Sequence, residues 1–235
     1  MKGKAYYITA SILAAGLMIT GLVLAMGIAS IRSDERTVSV RGLSEREFPA
    51  DMAVWPLTFS VGGNSLPAIR QDIIKKIDII TDYLEKHGLS SEEFTVKEPS
   101  ITDTSTDPYM NRNEQTWTYI AKNVVLVRSS NIEAVTRALA DSLQLLDAGI
   151  ALARSYDSQV QYLFTALNDV KPDMIAEATQ NARKAAEQFA RDSGSKVGKI
   201  KWASQGLFSI DDAAPGLPEK KTVRVVTTIE YILAD

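Results

Sequence analysis

The sequence predicts an α+β fold of two pseudo-repeated ββαββ-like halves joined by a helix and preceded by one N-terminal transmembrane helix. Three observations carry this prediction. Segments of alternating apolar and polar residues, rich in β-branched and aromatic types, recur between two long amphipathic stretches. Each long stretch has Pro near its start (Pro67, Pro172) and Gly at its end (Gly88, Gly194), the asymmetry of a helix with a fixed beginning and stop. The prolines are 105 residues apart and the glycines 106, so strand, helix, strand, polar loop and strand follow in the same order twice.

The first element is the 27-residue uncharged run 5–31, preceded by Lys2 and Lys4 and followed by Arg32. As a helix it would measure roughly 40 Å, enough to cross a hydrocarbon core of about 30 Å with some tilt. It is about twice too long for the apolar core of a cleaved secretory signal, and segments 25–27 and 27–29 match a cleavage site only loosely. The expected order is a cytoplasmic tail at 1–4, a signal anchor at 5–31, a linker at 32–36 and an exported domain at 37–235. The alternative is secretion to the periplasm after cleavage. The basic tail places the N-terminus inside and the domain outside the cytoplasm, as for a single-pass protein of a bacterial inner membrane. Zero cysteines exclude disulfides, a cysteine nucleophile and thiolate metal sites.

Within the domain, residues 37–43 and 53–61 alternate as strands, with Pro56 in the second pointing to an edge or a bulge. Residues 65–87 form a helix with Ile69, Ile73, Ile77, Ile80 and Leu84 on one stripe, closed by His87 and Gly88. A strand at 94–101, a polar loop at 103–115 and a long strand at 117–128 complete the first half, about 37–128. Asn131 caps a connecting helix near 131–146, with Ile132, Val135, Leu139 and Leu146 expected inward. The second half, about 150–235, has a strand at 160–167, a helix at 171–193, a strand at 197–209, a polar loop at 211–220 and a strand at 222–233. On its helix Ala178, Ala182, Ala185, Ala186 and Ala190 form a close-packing face, with Ile175 and Phe189 expected to fill space beside it.

Removing Lys2, Lys4 and Arg32 from 26 basic residues leaves 23 against 29 acidic ones beyond the apolar run, a net charge of −6. Nucleic-acid binding wants a basic face and is not expected. With His87 the single histidine and no cysteine, Ser-His-Asp and Cys-His triads are not expected, and His87 reads as part of a helix cap. No metal or other cofactor is implied. Asp103, Ser105 and Asp107 alternate like the start of a calcium loop, with Glu114 at position twelve. Pro108 stands where such a loop needs its turn glycine, and the pattern reads as a solvated loop. Asp211, Asp212 and Glu219 suggest a carboxylate pair, but loop acids are common. Trp55, Trp117 and Trp202 fall on strands and read as core or subunit contacts rather than a sugar platform. Arg183 on the alanine-rich helix is the one ligand-binding candidate, able to clamp a carboxylate or phosphate; an exposed helix charge is the plainer reading.

The segments VSVRGLSEREFPADMAVWPLTFSV, YLEKHGL, Tyr109 in the long loop and AEATQNARKAAEQFARDSGSKVGKI, in that order, resemble the bacterial SIMPL-domain family. The last segment is an alanine-rich helix closed by Gly-x-x-x-Gly into a strand. The resemblance implies an extracytoplasmic α+β protein of the cell envelope, linked to stress, with some members forming large oligomers and none with established catalytic residues. Two departures stand out: many relatives begin with a cleavable signal, and the second glycine of their Gly-x-Gly is here Leu43. The expected function is a non-enzymatic, membrane-tethered scaffold or binding module that assembles with itself. The alternative is a small-ligand carrier or hydrolase working from a cleft between the halves.

Overall fold

The computed structural model describes residues 13–26, 36–106, 116–153 and 155–234. Residues 13–26 form a helix, α1, with every residue exposed and none charged. Among the described residues no helix is long and apolar enough to cross a membrane. The span expected at 5–31 reaches beyond α1 on both sides, into residues outside the described ones.

The rest folds as β1 (Thr37–Pro49), β2 (Met52–Gly63), α2 (Leu66–Lys86), β3 (Phe94–Val96), β4 (Ser100–Asp103), β5 (Tyr119–Ser129), α3 (Ile132–Ala140), α4 (Gln144–Asp147), β6 (Gln161–Leu163), α5 (Leu167–Asp192), β7 (Lys196–Gln205), β8 (Ser209–Asp212) and β9 (Lys220–Ala234). The strands form two antiparallel sheets, so the α+β expectation is met. By contacts the chain divides into two compact units. The smaller holds the chain up to Gly42, Gln180–Ser204 and the chain from Thr227; the larger holds Leu43–Thr179 and Gln205–Val226.

The larger unit contains the sheet β3-β5-β2-β6, with β4 also paired to β5. β2 and β5 pair along their length, from Ala53↔Ser129 to Gly63↔Tyr119. Alternation sends Trp55, Leu57, Phe59 and Val61 to the same face as Ala121, Val125 and Val127. Ile69, Ile73, Ile80 and Leu84 of α2 and Ala134, Val135 and Ala138 of α3 join them in one core. α2 ends where Gly88 takes φ +89°, and the Leu89 N–H reaches back to the Leu84 carbonyl at 3.1 Å. A side chain is strained at that φ, so glycine fixes the stop. Asn131 caps α3 by accepting from the Ala134 N–H at 3.1 Å. A second core gathers Met174 and Ala178 of α5 with Val223 and Val225 of β9.

The strands of the other sheet lie in the order β1-β9-β7, and within the smaller unit Ala182 and Ala186 of α5 pack with Val40, Ile229 and Tyr231. Ala178, Ala182, Ala186 and Ala190 are buried as expected, whereas Phe189 is 61 % exposed and fills no space in the core. It stands one residue off the buried i, i+4 line, about 100° around the helix.

Both sheets are assembled alike. A long middle strand (β5 or β9) has a long strand on one edge (β2 or β1) and two strands in tandem on the other (β3 and β4, or β7 and β8). Backbone hydrogen bonds at both ends of β9, Leu233 N to Arg36 O and Ala50 N to Glu219 O, run β1 along one whole edge and leave the other to β7 and β8. Sequence neighbours are nonetheless separated: β1 pairs with β9, and β6 with β2.

Several expected boundaries move. β1 continues to Pro49, because Ser44 and Arg46 turn inward to Glu177 of α5, at 2.9 Å each, while Glu45 and Glu47 stay out. The strands expected at 94–101 and 197–209 are each two strands, interrupted at 97–99 and 206–208. β6 is three residues long, and α5 begins four residues before the expected Lys171, leaving Pro172 inside it. The connecting helix breaks at Asp141 and restarts at Gln144. Beyond the break Leu145 is buried and Leu146, expected inward, is 53 % exposed; Leu139, also expected inward, lies before it and is 38 % exposed.

Candidate functional site

The displaced leucines belong to a cavity of about 620 Å³ in the larger unit. Its position follows from the edge of β2. β6 covers that edge only from Met52 to Val54. The next backbone contact is the Ala153 N–H donating to the Thr58 carbonyl at 2.7 Å, beside the Phe59↔Leu152 bridge. Between them lies Pro56, whose place in the alternation turns its nitrogen toward the uncovered edge. Having no N–H, it leaves no donor stranded there. Pro56 is therefore on an edge, one of the two sites its sequence context allowed.

Trp55, Pro56, Leu139, Leu143, Leu146 and Ile150 form much of the wall, with Tyr156 and Tyr162 opposite. Trp55 is 3 % exposed and Tyr156 84 %, so the lining grades from buried core to open rim. The Tyr162 hydroxyl is 3.3 Å from Thr136 Oγ1. Ser155 and Ser158 cap a short turn reciprocally, with Ser155 N–H donating to Ser158 Oγ at 2.6 Å. Among the described residues that line it, none is Asp, Glu, Lys, Arg or His.

Residues 38–231 match the model of SIMPL, a family described as a protein of unknown function (DUF541). The chain belongs to the SIMPL family. No curated protein matches it.

In this SIMPL chain the family's Gly-x-x-x-Gly has two separate physical jobs. Gly194 takes φ +68° and ends α5, with Ser195 N–H donating to the Ala190 carbonyl at 2.8 Å. Gly198 lets β7 approach β9: a Cβ there would lie 2.8 Å from the Ile232 carbonyl oxygen. Leu43, in place of the family's second N-terminal glycine, is 41 % exposed on β1.

The remaining candidates are dispersed. Arg183 is exposed and pairs with Glu187 one turn along α5 at 3.1 Å; it does not line the cavity. His87 ends α2, with Nδ1 2.8 Å from the Tyr83 carbonyl and Nε2 3.2 Å from Asp141 Oδ2. Asp103 accepts from Ser105 N–H and Oγ, at 2.9 and 2.6 Å; Asp107, Pro108, Tyr109 and Glu114 lie outside the described residues. No metal-binding cluster occurs among the described residues. Asp212 is bonded to Lys221, the Glu219 carbonyl accepts from the Ala50 N–H, and Asp211 is exposed. Trp55 is core, whereas Trp117 and Trp202 are 47 % and 53 % exposed.

Two carboxylates have shifted pKa values with structural causes. Burial pulls Asp51 upward, but the N–H groups of Thr165 and Ala166 and the Thr165 hydroxyl hold it net below its ordinary value. Glu93 is held low chiefly by the Ser129 hydroxyl at 2.5 Å, then by the Ser90 N–H.

Sequence reasoning missed the cavity. Its one visible signal was Pro56 inside a strand, which marked an open edge without saying what lay beside it.

Proposed function

We propose that this SIMPL chain is a non-enzymatic module of the cell envelope. It is anchored in the inner membrane through residues 5–31, its domain lies outside the cytoplasm, and it assembles with copies of itself as a scaffold connected to stress response. The observation that carries the assembly reading is β7. It ends the order of its sheet, and it leaves Ile200 and Trp202 more than half exposed on one face. An end strand with exposed large apolar residues is a ready surface for pairing with a second chain. The uncharged run 5–31 supports the anchor, and the dispersal of the candidate catalytic groups supports a role without chemistry.

The test is the mass of the full-length protein in detergent by light scattering, beside that of residues 34–235. A defined oligomer of both, broken to smaller species by Ile200→Lys with Trp202→Glu, is expected. Monomers of both at every concentration would overturn the assembly reading.

A second reading, a small-ligand carrier, is favoured by one observation: the cavity at the open edge of β2.

A further inference from the structure

We infer that the cavity between the β2 edge and the α3–α4 turn binds a small, electrically neutral, largely apolar molecule. The inference rests on the carrier reading and is independent of self-association. Three features define the ligand.

The first is size. A volume of about 620 Å³ falls within the range of roughly 300–1,000 Å³ typical of small-molecule sites. The second is charge. Among the described residues the lining holds no Asp, Glu, Lys, Arg or His, so an ion entering it would lose hydration and find no counter-charge from them. A neutral molecule has no such barrier. The third is the kind of contact. Trp55, Tyr156 and Tyr162 give aromatic surface, and Leu139, Leu143 and Leu146 an aliphatic wall. Ser142 and Gln159 add a hydroxyl and a carboxamide for one or two neutral hydrogen bonds. Aromatic rings with a single polar substituent fit this lining best.

The leucines carry the argument further. Leu139, at the end of α3, and Leu146, in α4, face out of the core. Leu143, between α3 and α4, is 64 % exposed. Together they line a concave surface next to Trp55, so a ligand seated there would cover apolar area that the fold leaves in water.

The experiment uses full-length protein in nanodiscs, with empty nanodiscs to subtract partitioning into lipid. The probes are 2-naphthol and 2-naphthoate, the same ring system neutral and anionic at pH 7. Binding is followed by calorimetry and by tryptophan fluorescence. One saturable site per chain for 2-naphthol is expected, with affinity at least tenfold weaker for 2-naphthoate. Leu146→Asp, at an exposed wall position, should weaken 2-naphthol at least tenfold, and Ser142→Trp should block it by filling the space. Light scattering on the same samples keeps the two readings apart, since both variants should retain the wild-type mass. No saturable binding of 2-naphthol, equal binding of both probes, or binding untouched by both variants would overturn the inference. A loss of oligomer in Leu146→Asp without small-molecule binding to wild type would also overturn it, making the surface a contact between chains.

Discussion

Asp51 holds the start of α5 from 114 residues before Thr165, and removing its carboxylate should cost measurable stability. Its two oxygens accept from Thr165 N–H and Ala166 N–H at 2.8 Å and from Thr165 Oγ1 at 3.0 Å, immediately before α5 begins at Leu167. Replacing a capping Asp with Ala costs about 0.5–2 kcal/mol, and hydrogen bonds to a charged group contribute about 1.5–3 kcal/mol. Because the site is near the surface and water can replace part of the loss, Asp51→Ala should destabilise by about 2 kcal/mol, or roughly thirty-fold in the folding constant. The carboxyl's pKa is lower folded than unfolded, so its contribution is fully present above the unfolded value near 3.9 and is lost as pH falls through the folded one. Urea unfolding in detergent, followed by tryptophan fluorescence, should show the full difference between wild type and Asp51→Ala at pH 7. The difference should shrink steadily below about pH 4. A loss under about 0.5 kcal/mol at pH 7, or one that persists unchanged in acid, would refute the argument.

Two further perturbations follow from the geometry. Gly194→Ala and Gly198→Ala should both destabilise, the first by about 1 kcal/mol through backbone strain and the second by about 1–3 kcal/mol through collision with the Ile232 carbonyl. Gly194→Asn, which tolerates positive φ, should recover part of the first loss while Gly198→Asn recovers none; thermal melts of the four variants read the contrast. The Tyr83 hydroxyl donates to the Ala138 carbonyl, and its pKa is raised to about 12 by burial and then by the charge of Asp141. Its contribution is present below the unfolded value near 10 and is lost as pH rises toward about 12. Tyr83→Phe should therefore cost about 1 kcal/mol at pH 8 and flatten the alkaline fall in stability between pH 10 and 12, seen by circular dichroism.

The parts of the fold that were legible in the sequence are those whose signals are local. Pro67, Gly88, Asn131 and Gly194 mark their helix ends by their own backbone chemistry, and the stripe of Ile69, Ile73, Ile80 and Leu84 names its buried face. Alternation likewise marked β1 and β2 as strands. It could not name partners, because a strand's pattern records which face is covered and not which strand lies beside it. Hence β1 with β9 and β6 with β2 were not foreseeable. A single residue of slippage had large effects: Asp141 interrupts the helical count, so Leu145 takes the core place expected for Leu146. The cavity stayed hidden for the same reason. Its walls come from β2, the α3–α4 turn, residues 150–153 and 155–160, and β6, segments that no local period connects.

The pairing of β1 with β9 sets the order in which this sheet can be assembled. β1 must wait for β9, and Arg36 meets Leu233 only after the whole stretch between them has been made. Closing so long a loop costs entropy before any contact repays it, so this sheet should form late and slowly. β9 is also the middle strand, flanked by β1, β7 and β8. A chain stopped before Lys220 would lose the partner of three strands at once rather than a dispensable border. Synthesis through β9 thereby becomes a condition of folding, and a copy terminated before it would expose three unmatched strands to quality-control proteases.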